Sequence, residues 1–336
     1  MPFFLLAIVT ALPFVTLFNS AHAESTLEKV KKQKFLMCGV GGGLPGFSNI
    51  NSKGQYEGLD VDICKAIGAA VGVEVRFKEL SGTTRFPALQ SGEIDVLVRN
   101  TTFTMSRDTK LAFESCGINY YDGQGFLVSK ALKVKSAREL KGASVCVQAG
   151  TTTEMNLNDW FKTHGIKFKA VVFEKFEDAN KAYAAGRCDA YSTDASGLAA
   201  VRAGLKNPTE HIILPEIISK EPLGPLVRQD DAAWGDIVRW TLNALITAEE
   251  KGITQANVTA QSNNSDPEVG RLLGFTGTLG ADAGLSKDWA VKAIAAVGNY
   301  SEIFERNLGP KTPLKIERGL NALWNKGGLI YSPPFN

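Results

Sequence analysis

From residue 35 onward, short and nearly continuous apolar runs alternate with longer segments whose apolar positions recur every three to four residues. KFLMCGV, VEVRFK and IDVLV read as strands, and LDVDICKAIGAAVG and TRFPALQSG, lying between them, read as helices. That order predicts βαβ units around a largely parallel sheet. The same grammar restarts at GASVCVQAG and runs through TEMNLNDWFKTHG, FKAVVF and FEDANKAYAAGR to CDAYSTD. Farther on, WGDIVRWTLNALITAEEKG has a long amphipathic face, and residues 255–286 are polar and Gly-rich. SKDWAVKAIAAVGNYSEIFERN and ERGLNALWNKGG are expected to be helices packed on the first half, with YSPPFN a closing loop.

The two halves share a faint internal echo. ALQSGEIDVLVRNTT is answered by AYAAGRCDAYSTDAS: a helix end, a glycine, an acidic strand start, then a polar cluster. Helix, Gly and strand recur in any α/β domain, which is the bland explanation. The alternative is that both clusters serve one cleft, because open α/β sheets bind ligands just outside the carboxyl ends of their strands. YYDGQGFLVSK (120–130) and IILPEIISKEPLGPLV (212–227) are extended segments suited to crossing between the halves, and two crossovers make a hinge. The expected organisation is an α/β fold of two lobes with mixed sheets flanked by helices. Lobe 1 takes residues 24–123, lobe 2 takes 124–217, and 218–336 returns to lobe 1 with a C-terminal helical extension.

The amino terminus changes the setting. FFLLAIVTALPFVTLF is shorter than a comfortable bilayer span, contains Pro13 and ends in AHA, so residues 1–23 read as a secretory signal cut after Ala23. No Lys or Arg precedes the apolar run, which leaves an uncleaved anchor as the alternative. Export to the periplasm permits disulfides, and the five cysteines contain no CxxC. Cys146 and Cys188 both start predicted strands of the second half and are expected to pair; Cys38 and Cys64 form the second expected pair, leaving Cys116 over. At 336 residues with 44% hydrophobic and 21% charged residues, composition is that of an ordinary globular protein, and a net charge of +2 gives no reason to expect a nucleic-acid partner.

Enzyme motifs are missing. His22, His164 and His211 are scattered, and no HExxH, GxSxG or Walker pattern occurs. Gly41, Gly43 and Gly46 spell GxGxxG, yet Pro45 lies inside it and no helix opens after it. The polar chemistry sits instead in RNTTFTMSRDTKLAF and QAGTTTEMN. Arg107 has the planar fork that suits a carboxylate, and Asn100, Thr101, Thr102 and Thr104 offer short donors and acceptors beside it. Equally, Arg107 fits a surface pair with Asp108 or Glu114. Thr151 and Glu154 form a T-x-x-E capping box whose helix start, with Thr152, suits an anion, or is ordinary capping. Asp194 fits either a ligand ammonium or the N-cap of ASGLAAVRAG.

Together these stretches resemble the periplasmic solute-binding proteins of polar amino-acid ABC importers, and within them the general L-amino-acid-binding subfamily. GLPGFS, DVDIC, RFPALQSGEIDVL, RNTTFTMSRDT, YYDGQGF, VCVQAGTTTE, GRCDAYSTDASGLAA, ILPEIISKEPLGP and VGNYSEIFERN carry the likeness, which spans nearly everything after the signal. The resemblance implies a type II two-lobed fold without cofactor or catalytic group, acting as a monomer. It implies a free L-amino acid as ligand, polar and acidic ones included, and delivery to an inner-membrane permease with its ATPase. It places Arg107 on the ligand carboxylate with Thr102, Thr151 and Thr152, and Asp194 on the ammonium with the Asn100 carbonyl. Leu44 and Phe47 of GLPGFS fall in the expected lining, Leu44 where basic-amino-acid binders carry an aromatic. Arg85 resembles an arginine that acidic-amino-acid binders aim at a distal carboxylate. A cyclohexadienyl dehydratase on the same fold is the rival reading.

Overall fold

The computed structural model describes residues 24–336. The expected signal segment and its cleavage point lie outside them. Among the described residues no helix is long and apolar enough to cross a membrane.

Two five-stranded mixed sheets carry the chain, as the alternating pattern predicts. In the first, the order is Glu74–Glu79, Phe35–Val40, Val96–Leu97, Leu226–Arg228 and Phe113–Ser115. The first three strands run parallel, and Leu226–Arg228 pairs antiparallel with both its neighbours. In the second, the order is Lys169–Phe173, Ser144–Gln148, Ala190–Asp194, Gln124–Ser129 and His211–Ile213, again parallel through the first three. Between the sheets, Tyr120–Asp122 and Glu221–Leu223 form a two-stranded antiparallel ribbon, so both passages of the chain cross side by side.

Helix Leu59–Val71 shows how the C-terminal region completes the core. Its residues are apolar nearly all round, and ten of its thirteen are buried, a pattern that demands cover on every face. One face lies on the first sheet; helix Trp289–Val297, from the extension, packs along another. The extension differs in part from its expected form. SKDWAVKAIAAVGNYSEIFERN is helical as expected, in two pieces: Gly298 takes φ 80°, and Asn299 with Glu302 builds a full capping box that opens Tyr300–Asn307. ERGLNALWNKGG forms two 3₁₀ turns, Gly319–Asn321 and Trp324–Lys326, separated by extended backbone at Ala322 and Leu323, and Gly327 at positive φ ends the second.

Cys38 is bonded to Cys64 and Cys146 to Cys188, with Cα separations of 6.2 and 5.7 Å. Each closes a modest loop and removes unfolded-state entropy on the order of 3–4 kcal/mol. Cys116 is free and buried, and burial pushes its thiol far up from the usual range.

Candidate functional site

The polar clusters of the two halves meet. A narrow cavity of about 30 Å³ is walled by Leu44, Arg85, Arg99, Asn100 and Thr102 from the first sheet's side and by Gln148, Thr151, Thr152, Phe176 and Asp194 from the second's. Asn100 Nδ2 donates to Asp194 Oδ2 at 3.3 Å, and Arg99 Nη2 donates to Gln148 Oε1 at 3.2 Å, both across the cleft.

The backbone at Asn100 is specialised for this place. Its φ is +29°, an uncommon conformation for a side chain other than glycine. Asp60, in the first turn of Leu59–Val71, holds it by accepting the Asn100 N–H at 2.8 Å. Asp60 is fully enclosed, and burial lifts its pKa to about 7, against the Asn100 and Asn119 hydrogen bonds and the Arg99 charge. Between about pH 4 and pH 7 the folded protein therefore keeps a proton that the unfolded chain has lost. Stability contributed by this group falls as pH rises through that window, by up to about 4 kcal/mol, and is level above it. Urea unfolding at pH 4.5, 6 and 7.5 is expected to show a shallower fall for Asp60→Asn; equal slopes would place the proton elsewhere.

Asp194 occupies the N-cap position of helix Ala195–Gly204, yet its side chain makes no capping bond. Its carboxylate faces the cavity instead. Burial pushes its pKa well above the usual carboxylate range, the Asp122 and Glu221 charges add to this, and the Asn100 bond and Arg85 oppose it. Asp122, bonded by the Ser196 hydroxyl, is raised to about 6, chiefly by burial.

Three guanidiniums stand opposite. Arg85, Arg99 and Arg107 are all buried, and no carboxylate lies within 4 Å of any of them among the described residues. Arg85 reaches Thr101 and the Gly150 carbonyl only at 3.3 and 3.4 Å, and its buried Nε has no partner. Burial lowers its pKa well below the usual value, and Arg99 and Arg107 lower it further. Arg99 and Arg107 are brought down to about 10, again mainly by burial. Arg85 and Arg107 both lie over the Phe86 ring, at 4.7 and 4.9 Å.

Several expected positions take a different form. Arg107 pairs with neither Asp108 nor Glu114; Glu114 is taken by Arg239. Arg107 Nη1 donates to the Thr102 carbonyl at 2.5 Å, so it stands behind Thr102 and does not line the cavity. Thr102 and Thr152 both donate their hydroxyls to Glu221, which also accepts from Asn156 at 2.8 Å and Ser219 at 2.6 Å. Glu221 comes from the second crossover, and nothing local in EPLGP marks it as a carboxylate for this junction. Thr151 caps helix Thr152–Thr163 through the Glu154 N–H, but Glu154 returns its bond to Gly150, one residue short of a full box. Phe47 is no part of the wall: it is fully buried and packs edge-on against Tyr120 at 5.3 Å. Arg99, Gln148 and Phe176 were not foreseen. Gln148 ends its strand and Arg99 lies two residues beyond Val96–Leu97, each just ahead of a polar cluster, where the strand-end rule pointed.

No group of three or more His, Cys, Asp or Glu among the described residues could hold a metal ion. What the site offers is desolvated positive charge on one wall and a desolvated carboxylate on the other. Residues 36–255 match the model of the bacterial extracellular solute-binding proteins, family 3. The chain belongs to that family. It is 58% identical over 320 residues to the general L-amino acid-binding periplasmic protein AapJ of Rhizobium johnstonii, covering 94% of each chain. It is 53% identical over 319 residues to the glutamate/glutamine/aspartate/asparagine-binding protein BztA of Rhodobacter capsulatus, with the same coverage. A solved structure, an ABC transporter periplasmic binding protein from Brucella ovis with glutathione bound, superposes with a TM-score of 0.91 at 56% identity, covering 94% of this chain and all of that one.

Proposed function

We propose that this family member is a periplasmic receptor that closes on the two charged ends of an L-amino acid and delivers it to an ABC permease. The carrying observation is the unmatched pair of walls: buried guanidiniums without carboxylates on one side, and Asp194 facing them across one cavity. A zwitterion supplies both missing charges at once. Its ammonium goes to Asp194 and the Asn100 carbonyl, and its carboxylate to the guanidinium wall, which Arg107 joins by turning from the Thr102 carbonyl toward the cavity while Thr102 and Thr152 release Glu221. Arg85, at the cavity surface with an unpartnered Nε, takes a second carboxylate where the ligand has one.

Breadth follows from these anchors. Every L-amino acid carries the two ends, so a site that commits its charged groups to them discriminates weakly among side chains. A neighbouring cavity of about 330 Å³ shares Gly42, Arg99, Gln148 and Phe176 as a wall and gives room for longer side chains. The γ-glutamyl head of glutathione presents the same two ends, which brings the Brucella protein's ligand within the proposed set. Charge-assisted hydrogen bonds contribute on the order of 1.5–3 kcal/mol each, enough for a few of them to sustain micromolar affinity. The relatives named above are binding proteins, and neither bears the name of a dehydratase.

Calorimetry with L-glutamate, N-acetyl-L-glutamate and the α-amide tests the clasp. Blocking either α-end is expected to abolish measurable binding; retention of either analogue would contradict it. Arg85→Ala is expected to cost L-glutamate about 1.5–3 kcal/mol more than L-leucine. An equal loss for both would assign Arg85 to the shared carboxylate instead.

A further inference from the structure

The ribbon that joins the lobes has an outer edge, and the C-terminal extension grips it. Tyr121 faces Pro222 across the antiparallel ribbon. Proline has no N–H to give, so this is a non-hydrogen-bonded pair and both backbone groups of Tyr121 point away from the partner strand. Asn321 takes them both. Its Oδ1 accepts the Tyr121 N–H at 2.6 Å, and its Nδ2 donates to the Tyr121 carbonyl at 3.1 Å. One side-chain amide thus does what a third strand would do. On the other edge, the Pro222 carbonyl accepts from the Phe103 N–H at 2.8 Å.

Asn321 is itself held firmly. It is buried, and Arg318 Nε donates to its carbonyl at 2.9 Å. Arg318 pairs with Glu249 at 3.0 Å, with both side chains largely buried, and lies over the rings of Tyr300 and Phe304. Tyr300 in turn donates to the Asn119 carbonyl at 2.7 Å, two residues before the clasped position, and Phe304 stacks on Tyr120. Three successive crossover residues, Asn119, Tyr120 and Tyr121, are therefore fastened to a region that lies beyond residues 36–255, the part matched by the family model.

We infer that Asn321 is a positioning residue for lobe movement. The extension fixes the first crossover to lobe 1 through Tyr121, and bending is confined to the stretch from Asp122 to Gln124 on the lobe 2 side. The consequence is a restricted opening range, which keeps the two walls of the cleft close and slows ligand escape. This inference rests on the proposed amino-acid binding only for its kinetic readout; the restriction of opening stands apart from it.

The test uses residues 24–336 with one spin label on each lobe, read by pulsed dipolar spectroscopy, together with stopped-flow release of L-glutamate. Asn321→Ala is expected to broaden the ligand-free interlobe distance distribution toward longer values and to speed release about tenfold, with a modest fall in Tm from the Tyr121 groups left unpaired. Tyr300→Phe, which keeps the ring and loses only the Asn119 bond, is expected to do the same more weakly, and it serves if the first variant does not fold. An unchanged distance distribution in the variants overturns the inference, even if Tm falls. If the wild-type protein binds no amino acid while Asn321→Ala still broadens the distribution, the binding proposal fails and the clasp stands.

Discussion

Arg107→Ala is expected to weaken the binding of chemically different amino acids together, by roughly 2–5 kcal/mol, because a buried ligand carboxylate loses its charged partner. The geometry makes the loss general. Arg107 is bonded to the Thr102 carbonyl and lies over Phe86, so it sets both the local charge and the position of Thr102 at the cavity wall. Neither effect depends on the ligand side chain. Calorimetry with L-glutamate, L-leucine and L-arginine reads the result directly. Loss confined to L-glutamate would mean that Arg107 meets a side-chain carboxylate, and the division of labour between Arg85 and Arg107 would be reversed.

Asp194→Asn is expected to cost a comparable 2–5 kcal/mol for every ligand with a free α-ammonium, and to change how binding responds to pH. In the ligand-free protein, burial and the neighbouring Asp122 and Glu221 charges hold Asp194 protonated to unusually high pH. An arriving ammonium lowers that pKa, so binding releases a proton. Affinity then rises with pH until the ligand-free pKa is passed, and levels off above it. Asp194→Asn removes this part of the slope. Titrations in buffers of different ionisation enthalpy measure the proton released. A variant that releases as many protons as the wild type would remove Asp194 from the ammonium site.

How much of this was legible in the chain depended on whether the information was local. Strand and helix order could be read, because an apolar run or a 3.6-residue period is written in neighbouring positions; Leu59–Val71 and Ala232–Glu250 are where the pattern put them. The internal echo was also meaningful: the residues at equivalent positions of its two halves, Asn100 and Asp194, are hydrogen-bonded at 3.3 Å across the cleft. Boundaries in the extension were less legible, since Gly298 and the Asn299 cap divide what periodicity alone joins. The side-chain destinations were least so. Glu221 reaches Thr102 and Thr152 only because the second crossover brings it between the lobes, and Phe47 turns into the core because Tyr120 of the first crossover packs against it. Such placements are set by contacts 69 to 119 residues apart in the chain, which no window of sequence contains.

The most direct test of the central claim is a crystal structure of residues 24–336 grown with L-glutamate. The account predicts the α-carboxylate within hydrogen-bonding distance of the Arg107–Thr102 wall and the α-ammonium on Asp194, with the side chain directed toward Arg85. A ligand bound outside this cleft, or one whose ammonium sits away from Asp194, would contradict it.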